Sequence, residues 1–161
     1  MKLDREEYIN TICLDKANKL INKAKKTGDL ILPYLENIQD STPDSIRLEQ
    51  DYLKHMYKTP KSLSRKLVTR LKKQIWYKNL NTKQELRSEL NSIASDVGDY
   101  LRFTFIIASN IYVKKTIYIH NKIIKKFNAK IFKPKKEEVR WDLGDGYQGA
   151  QTVYLIKNVP V

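Results

Sequence analysis

Four short segments carry side chains whose types and spacing suit phosphate and nucleotide chemistry. The first is Tyr57-Lys58-Thr59-Pro60-Lys61-Ser62-Leu63-Ser64-Arg65-Lys66-Leu67. Thr59-Pro60 is a helix-start pair, so Lys58 and Lys61 stand before and at a helix N-terminus, with Ser62, Arg65 and Lys66 in its first two turns. Free N–H groups and the positive end of the dipole attract phosphate there, and the cations add to that attraction. The second segment is Asp96-Val97-Gly98-Asp99-Tyr100-Leu101-Arg102. Asp99 and Arg102 stand at the entry of an expected strand, where a carboxylate suits a hard cation such as Mg²⁺ and a guanidinium suits phosphate. Asp96 is a rival ligand. The third is the basic stretch Lys130, Lys133, Lys135, Lys136 and Arg140, ending at Trp141. The fourth is Asp145-Gly146-Tyr147-Gln148-Gly149-Ala150-Gln151-Thr152, whose glycines admit a planar base and whose Tyr147 can stack on it. Each segment also has a plain structural reading: a solvated helix face, a surface Arg–Asp pair, a basic surface strand, a hairpin turn.

Other chemistries find little support. There is neither a Walker phosphate loop nor a GxGxxG run. The two histidines, His55 and His120, have no metal-ligand companion at helical spacing, and His120 falls among apolar helix residues, which favours packing. Cys13 is the only cysteine, so an intrachain disulfide and a four-cysteine zinc site are both excluded. It reads as an inert, partly buried thiol without a partner base. Charge is the strongest compositional signal. Thirty-one Lys and Arg against 18 Asp and Glu give +13 over 161 residues, a field that favours polyanions. The alternation of Lys with Tyr, Phe and Trp between Tyr112 and Trp141 keeps a second class of function in play, a basic module for single-stranded nucleic acid. No apolar run approaches the roughly 20 residues of a membrane span, and the N-terminal stretch lacks an apolar signal region. The cytoplasm is the expected compartment.

Several elements must position these residues. Apolar spacing predicts a helix from Leu3 to Lys26, with Gly28 as its stop. Thr42-Pro43-Asp44 reads as the start of a second helix, running to about Tyr57. A basic helix follows from Thr59-Pro60 to about Tyr77, and another from Asn81 or Thr82 to about Ser95. Tyr100 to Ile107 is rich in aromatic and β-branched residues and reads as a buried strand. Ile111 to Phe127 is helical in spacing. Short strands are expected at residues 129–132, 138–141 and 151–156, with a turn at Gly144-Asp145-Gly146. Helices first, then a strand, a crossover helix and more strands, predict an α+β or α/β domain with a small mixed sheet.

In this order and spacing the four segments resemble the RelA/SpoT family of alarmone synthetases, over roughly Leu53 to Val161. The resemblance divides the chain into an N-terminal helical segment, 1–52, and a synthetase-like domain, 53–161, in an α+β, nucleotidyltransferase-like fold. It implies transfer of pyrophosphate from ATP to the 3′-hydroxyl of GDP or GTP. Lys58, Ser62, Arg65 and Lys66 match the family residues that handle the ATP phosphates. Asp99 matches the Mg²⁺-binding carboxylate that precedes a strand arginine, here Arg102, in a shortened form. Tyr147 and Gln148 match the segment that stacks on the acceptor guanine, with Lys135 and Arg140 as further acceptor contacts. Asp145 stands where the family has Asn, and Gln151 where it has His. The family's second catalytic carboxylate, a Glu in the next strand, would fall just past Val161. The expectation from this alignment is a truncated piece or a decayed gene with weak activity or none.

Overall fold

A computed structural model describes residues 4–133, 140–142 and 148–161. The first element is one long helix, α1, Arg5–Asp40. It buries Ile9, Cys13, Ala17, Ile21, Ala24, Ile31, Leu35 and Ile38, a three-and-four spacing that keeps one stripe inward along its whole length. The helix therefore runs through Gly28, where the sequence predicted a stop. Gly28 serves close packing: a Cβ there would stand 2.1 Å from the Tyr57 hydroxyl and 2.5 Å from Met56 Cε. Pro33 also lies inside α1. A helix-interior proline costs about 3 kcal/mol. Burial of Ile31, Leu35 and Ile38 around it offsets that cost.

The helix predicted from Thr42 to Tyr57 does not form. The Ser41 and Thr42 hydroxyls instead donate to the Ile38 carbonyl at 3.0 and 2.7 Å, closing the C-terminus of α1. The chain then forms strand β1, Ile46–Leu48, and one short helical turn, α2, Tyr52–His55. Cap chemistry held at the next two helices. In α3, Pro60–Lys78, the Thr59 side chain accepts from the Ser62 amide, and Leu63, Leu67 and Leu71 face inward. In α4, Lys83–Asp96, Thr82 and Glu85 form a reciprocal capping box.

The strand expected at 100–107 is shorter. β2 covers Phe105–Ile107 and pairs antiparallel with β1, while Leu101 makes an isolated bridge to Tyr57. A 3₁₀ turn at Ser109–Ile111 leads into α5, Tyr112–Phe127. Then come β3, Lys130–Lys133, β4, Arg140–Asp142, β5, Gln148–Gln151, β6, Val153–Ile156, and β7, Val159–Pro160. The sheets are β1-β2, β3-β6-β7 and β4-β5. Among the described residues every pairing is antiparallel, which corrects the expected mixed sheet. The reason is that β2 and β3, on either side of α5, belong to different sheets, so no parallel pair results. The fold is α+β. β7 went unread in the sequence; Lys157 and Asn158, both at positive φ, turn it back onto β6 without any glycine. The predicted turn at 144–146 lies outside the described residues.

Two apolar cores result. One joins α1, α3 and α4 through Ala17, Ile21, Leu63, Leu67, Leu90 and Val97. The other joins the end of α1, β1, α5 and β6 through Leu35, Ile46, Ile123 and Ile156. Phe103 and Val161 pack against both.

Candidate anion-binding site

A short antiparallel ladder sets up the site. The Lys58 amide donates to the Tyr100 carbonyl at 3.1 Å, and the Arg102 amide to the Met56 carbonyl at 3.0 Å. This registers the residues just before α3 against the chain leaving α4. Just before the ladder, Gly98 packs closely against side chains of β3 and β6. A Cβ there would stand 3.2 Å from the Phe132 ring and 3.4 Å from Val153.

The outcome is a three-residue ion cluster. Lys58 Nζ lies 2.6 Å from Asp99 Oδ2. Lys66 Nζ, two turns into α3, lies 2.8 Å from both Asp99 oxygens. The side chains of Lys58, Lys66 and Asp99 are 25, 32 and 43 % exposed, so the cluster lines a surface and is open to solvent. Burial pushes the Asp99 carboxyl up, but hydrogen bonds and charge from the two lysines outweigh it and leave the group at about 2. Asp99 is therefore fully ionised at neutral pH.

A second cluster adjoins the first in sequence. Asp96 lies 3.7 Å from Arg70 of α3 and 3.4 Å from Lys133 of β3, whose ammonium also donates to the Asp96 carbonyl at 3.0 Å. Two acids thus meet four cations drawn from α3, its approach and β3. The excess of positive charge, on elements fixed by two cores, is the chemistry of an anion site.

The other predicted residues take varied places. Ser62 is half-buried in the first turn of α3, its amide held by the Thr59 cap. Arg65 is exposed on the same helix, one residue before Lys66. Arg102 does not meet Asp99 in any described contact; its Nε donates to the His55 carbonyl at 3.1 Å. Arg140 and Gln148 belong to the backbones of β4 and β5, which pair antiparallel. Lys135 and Tyr147 lie outside the described residues. Arg70 and the link from Lys133 to Asp96 were missed; the i, i+4 spacing of Lys66 and Arg70 on α3 was the available signal.

Among the described residues no three His, Cys, Asp or Glu gather as a metal-binding group. Mg²⁺ is commonly held by one or two carboxylates together with substrate phosphates. Both Asp99 oxygens are taken by Lys58 and Lys66, so a cation could reach the carboxylate only if those ammonium groups moved away. Cys13 is fully buried, and burial pushes its thiol up to about 11, which suits a packing role. His120 is buried with Nδ1 2.8 Å from the Tyr154 hydroxyl, in keeping with a packing role. Among the described residues no helix is long and apolar enough to cross a membrane.

No protein-family model matches this chain, and neither does any curated protein or solved structure.

Proposed function

We propose that the chain is a RelA/SpoT-like nucleotide-binding domain whose Lys58–Asp99–Lys66 cluster receives the polyphosphate of ATP. The observation that supports this most is the convergence of Lys58, Lys66 and Asp99 from segments 41 and 33 residues apart. These are residues that the family resemblance assigns to phosphate and metal. In this reading Lys58 and Lys66 turn from Asp99 to the phosphates, with Arg65 and Arg70 beside them on α3. Their fixed positive charge would stabilise negative charge spreading over a transferring phosphoryl group. Asp99 would hold a Mg²⁺ ion arriving with the nucleotide, which would supply charge neutralisation to the polyphosphate. Tyr147 and Gln148 would receive a guanine nucleotide, with Lys135 and Arg140 on its phosphates.

The reaction proposed is pyrophosphate transfer from ATP to the 3′-hydroxyl of GDP or GTP. It calls for a second carboxylate, acting as a general base, to take the proton of that hydroxyl. Among the described residues the only acid in contact with Lys58 and Lys66 is Asp99. The activity proposed for the described site is nucleotide binding. Calorimetric titration with ATP tests the reading. Mg²⁺ should tighten ATP binding to the wild-type chain, and Asp99→Ala should remove that gain. Equal Mg²⁺ dependence in Asp99→Ala would refute the metal role.

A further inference from the structure

The sequence from Tyr100 to Lys136 contains no Asp or Glu, yet it holds one Arg and nine Lys. Five of those lysines lie on α5, whose buried side is Ile119, His120 and Ile123. At 100° per residue they fall in two rows, one opposite that side and one along its flank. Lys115, Lys122 and Lys126 make one row and Lys114 and Lys125 the other, with Tyr118 between them. Lys115 and Lys126 are roughly 16 Å apart along the helix axis.

Three of these lysines rest on aromatic rings. Lys115 and Lys122 stand 5.7 and 5.4 Å from the centre of the Tyr118 ring, and Lys126 stands 5.5 Å from that of Tyr34. Among the described residues none of the five pairs with a carboxylate. A ring face attracts an ammonium without neutralising it, so the charge remains available to an external anion. We propose that the outer face of α5 binds the phosphate backbone of nucleic acid. The two ammonium groups already occupy the Tyr118 ring, which leaves phosphate contact rather than base stacking as the mode of recognition. The charge is spread over a row longer than a mononucleotide, so a polymer fits it better than a free nucleotide does. An anionic membrane is a poorer match: Val113 and Ile117 are the exposed apolar residues of α5 and lie to one side of the lysine rows, not between them. This surface is separate from the Lys58–Asp99–Lys66 site and does not depend on that site's assignment.

The test is binding of a fluorescent 20-nucleotide oligouridylate by anisotropy across a salt series. It compares wild type, the triple variant Lys115→Gln/Lys122→Gln/Lys126→Gln, and a control that removes the same charge from α1, Lys19→Gln/Lys25→Gln/Lys26→Gln. The α5 variant should lose at least tenfold in affinity at 100 mM salt. Its log–log salt slope should be shallower by about 2, at about 0.7 per lost phosphate contact on a single strand. The control should change affinity less than threefold, and all three chains should melt alike and bind ATP alike. Equal losses in the two variants would show a diffuse charge effect and overturn the proposal. So would binding to vesicles with 30 % phosphatidylserine without binding to the oligonucleotide, or no binding to the oligonucleotide by wild type at 50 mM salt.

Discussion

The two basic helices, α3 and α5, carry the same kind of charge in opposite ways. On α3 four of the seven cations are tied to acids from elsewhere in the fold: Lys66 to Asp99, Arg70 to Asp96, Lys72 to Glu6 and Lys78 to Glu89. On α5 the lysines of the described contacts rest on Tyr118 and Tyr34. Pairing fixes where a charge sits and lowers the field it projects; resting on a ring does little of either. The pattern on α3 therefore suits a discrete ligand of defined shape, and that on α5 suits an extended one.

The contrast breaks most completely if α3 itself is loosened. Leu67 is fully buried one residue after Lys66, so Leu67→Ala should cost about 2–5 kcal/mol. A urea titration reads this as a lower midpoint, and ATP binding should weaken in parallel; an unchanged midpoint would mean that α3 is not anchored as described. A sharper cut is Lys66→Ala, which leaves the core intact. Losing a charge-assisted contact should weaken ATP binding by about 10- to 50-fold by calorimetry. The α5 triple variant should stay within about twofold of wild type in the same experiment, since its lysines lie outside the cluster. Equal losses would erase the distinction between the helices. Next in size is Thr82→Ala, which removes the capping box of α4, the helix that delivers Asp96 and Asp99 to α3. It should cost about 1 kcal/mol in chemical denaturation, without altering the α5 surface.

Much of this arrangement was legible beforehand because it is local. Thr59-Pro60 and the Asn81-Thr82 pair announce α3 and α4 at their first turns, and the apolar spacing of α5 did the same. Where the expectation failed, a distant contact had overruled the local signal. Gly28 looks like a helix stop until Tyr57 is seen lying across it. Thr42 looks like an N-cap, but its hydroxyl finds the Ile38 carbonyl behind it. Asp99 could be picked out as a candidate ligand by type and place. Lys58 and Lys66 were also candidates, but their pairing with Asp99 was not legible, since it depends on the register of Met56–Lys58 against Tyr100–Arg102.

The smallest expected effect concerns pH. Asp99 titrates at about 2 in the fold against an ordinary 3.8, so its contribution to stability is present above the ordinary value and fades as pH falls from about 4 toward 2. Asp99→Asn should therefore flatten that part of the acid limb in pH-dependent melting and leave the neutral region of the curve unchanged in slope. A wild-type acid limb identical to that of Asp99→Asn would show that the carboxylate is not held by Lys58 and Lys66.

The most direct measurement of the central claim is hydrogen–deuterium exchange with and without ATP and Mg²⁺. Protection should appear at residues 58–67 and 96–102 and leave 112–127 unchanged. Protection centred on 112–127, or none at 58–67, would contradict it.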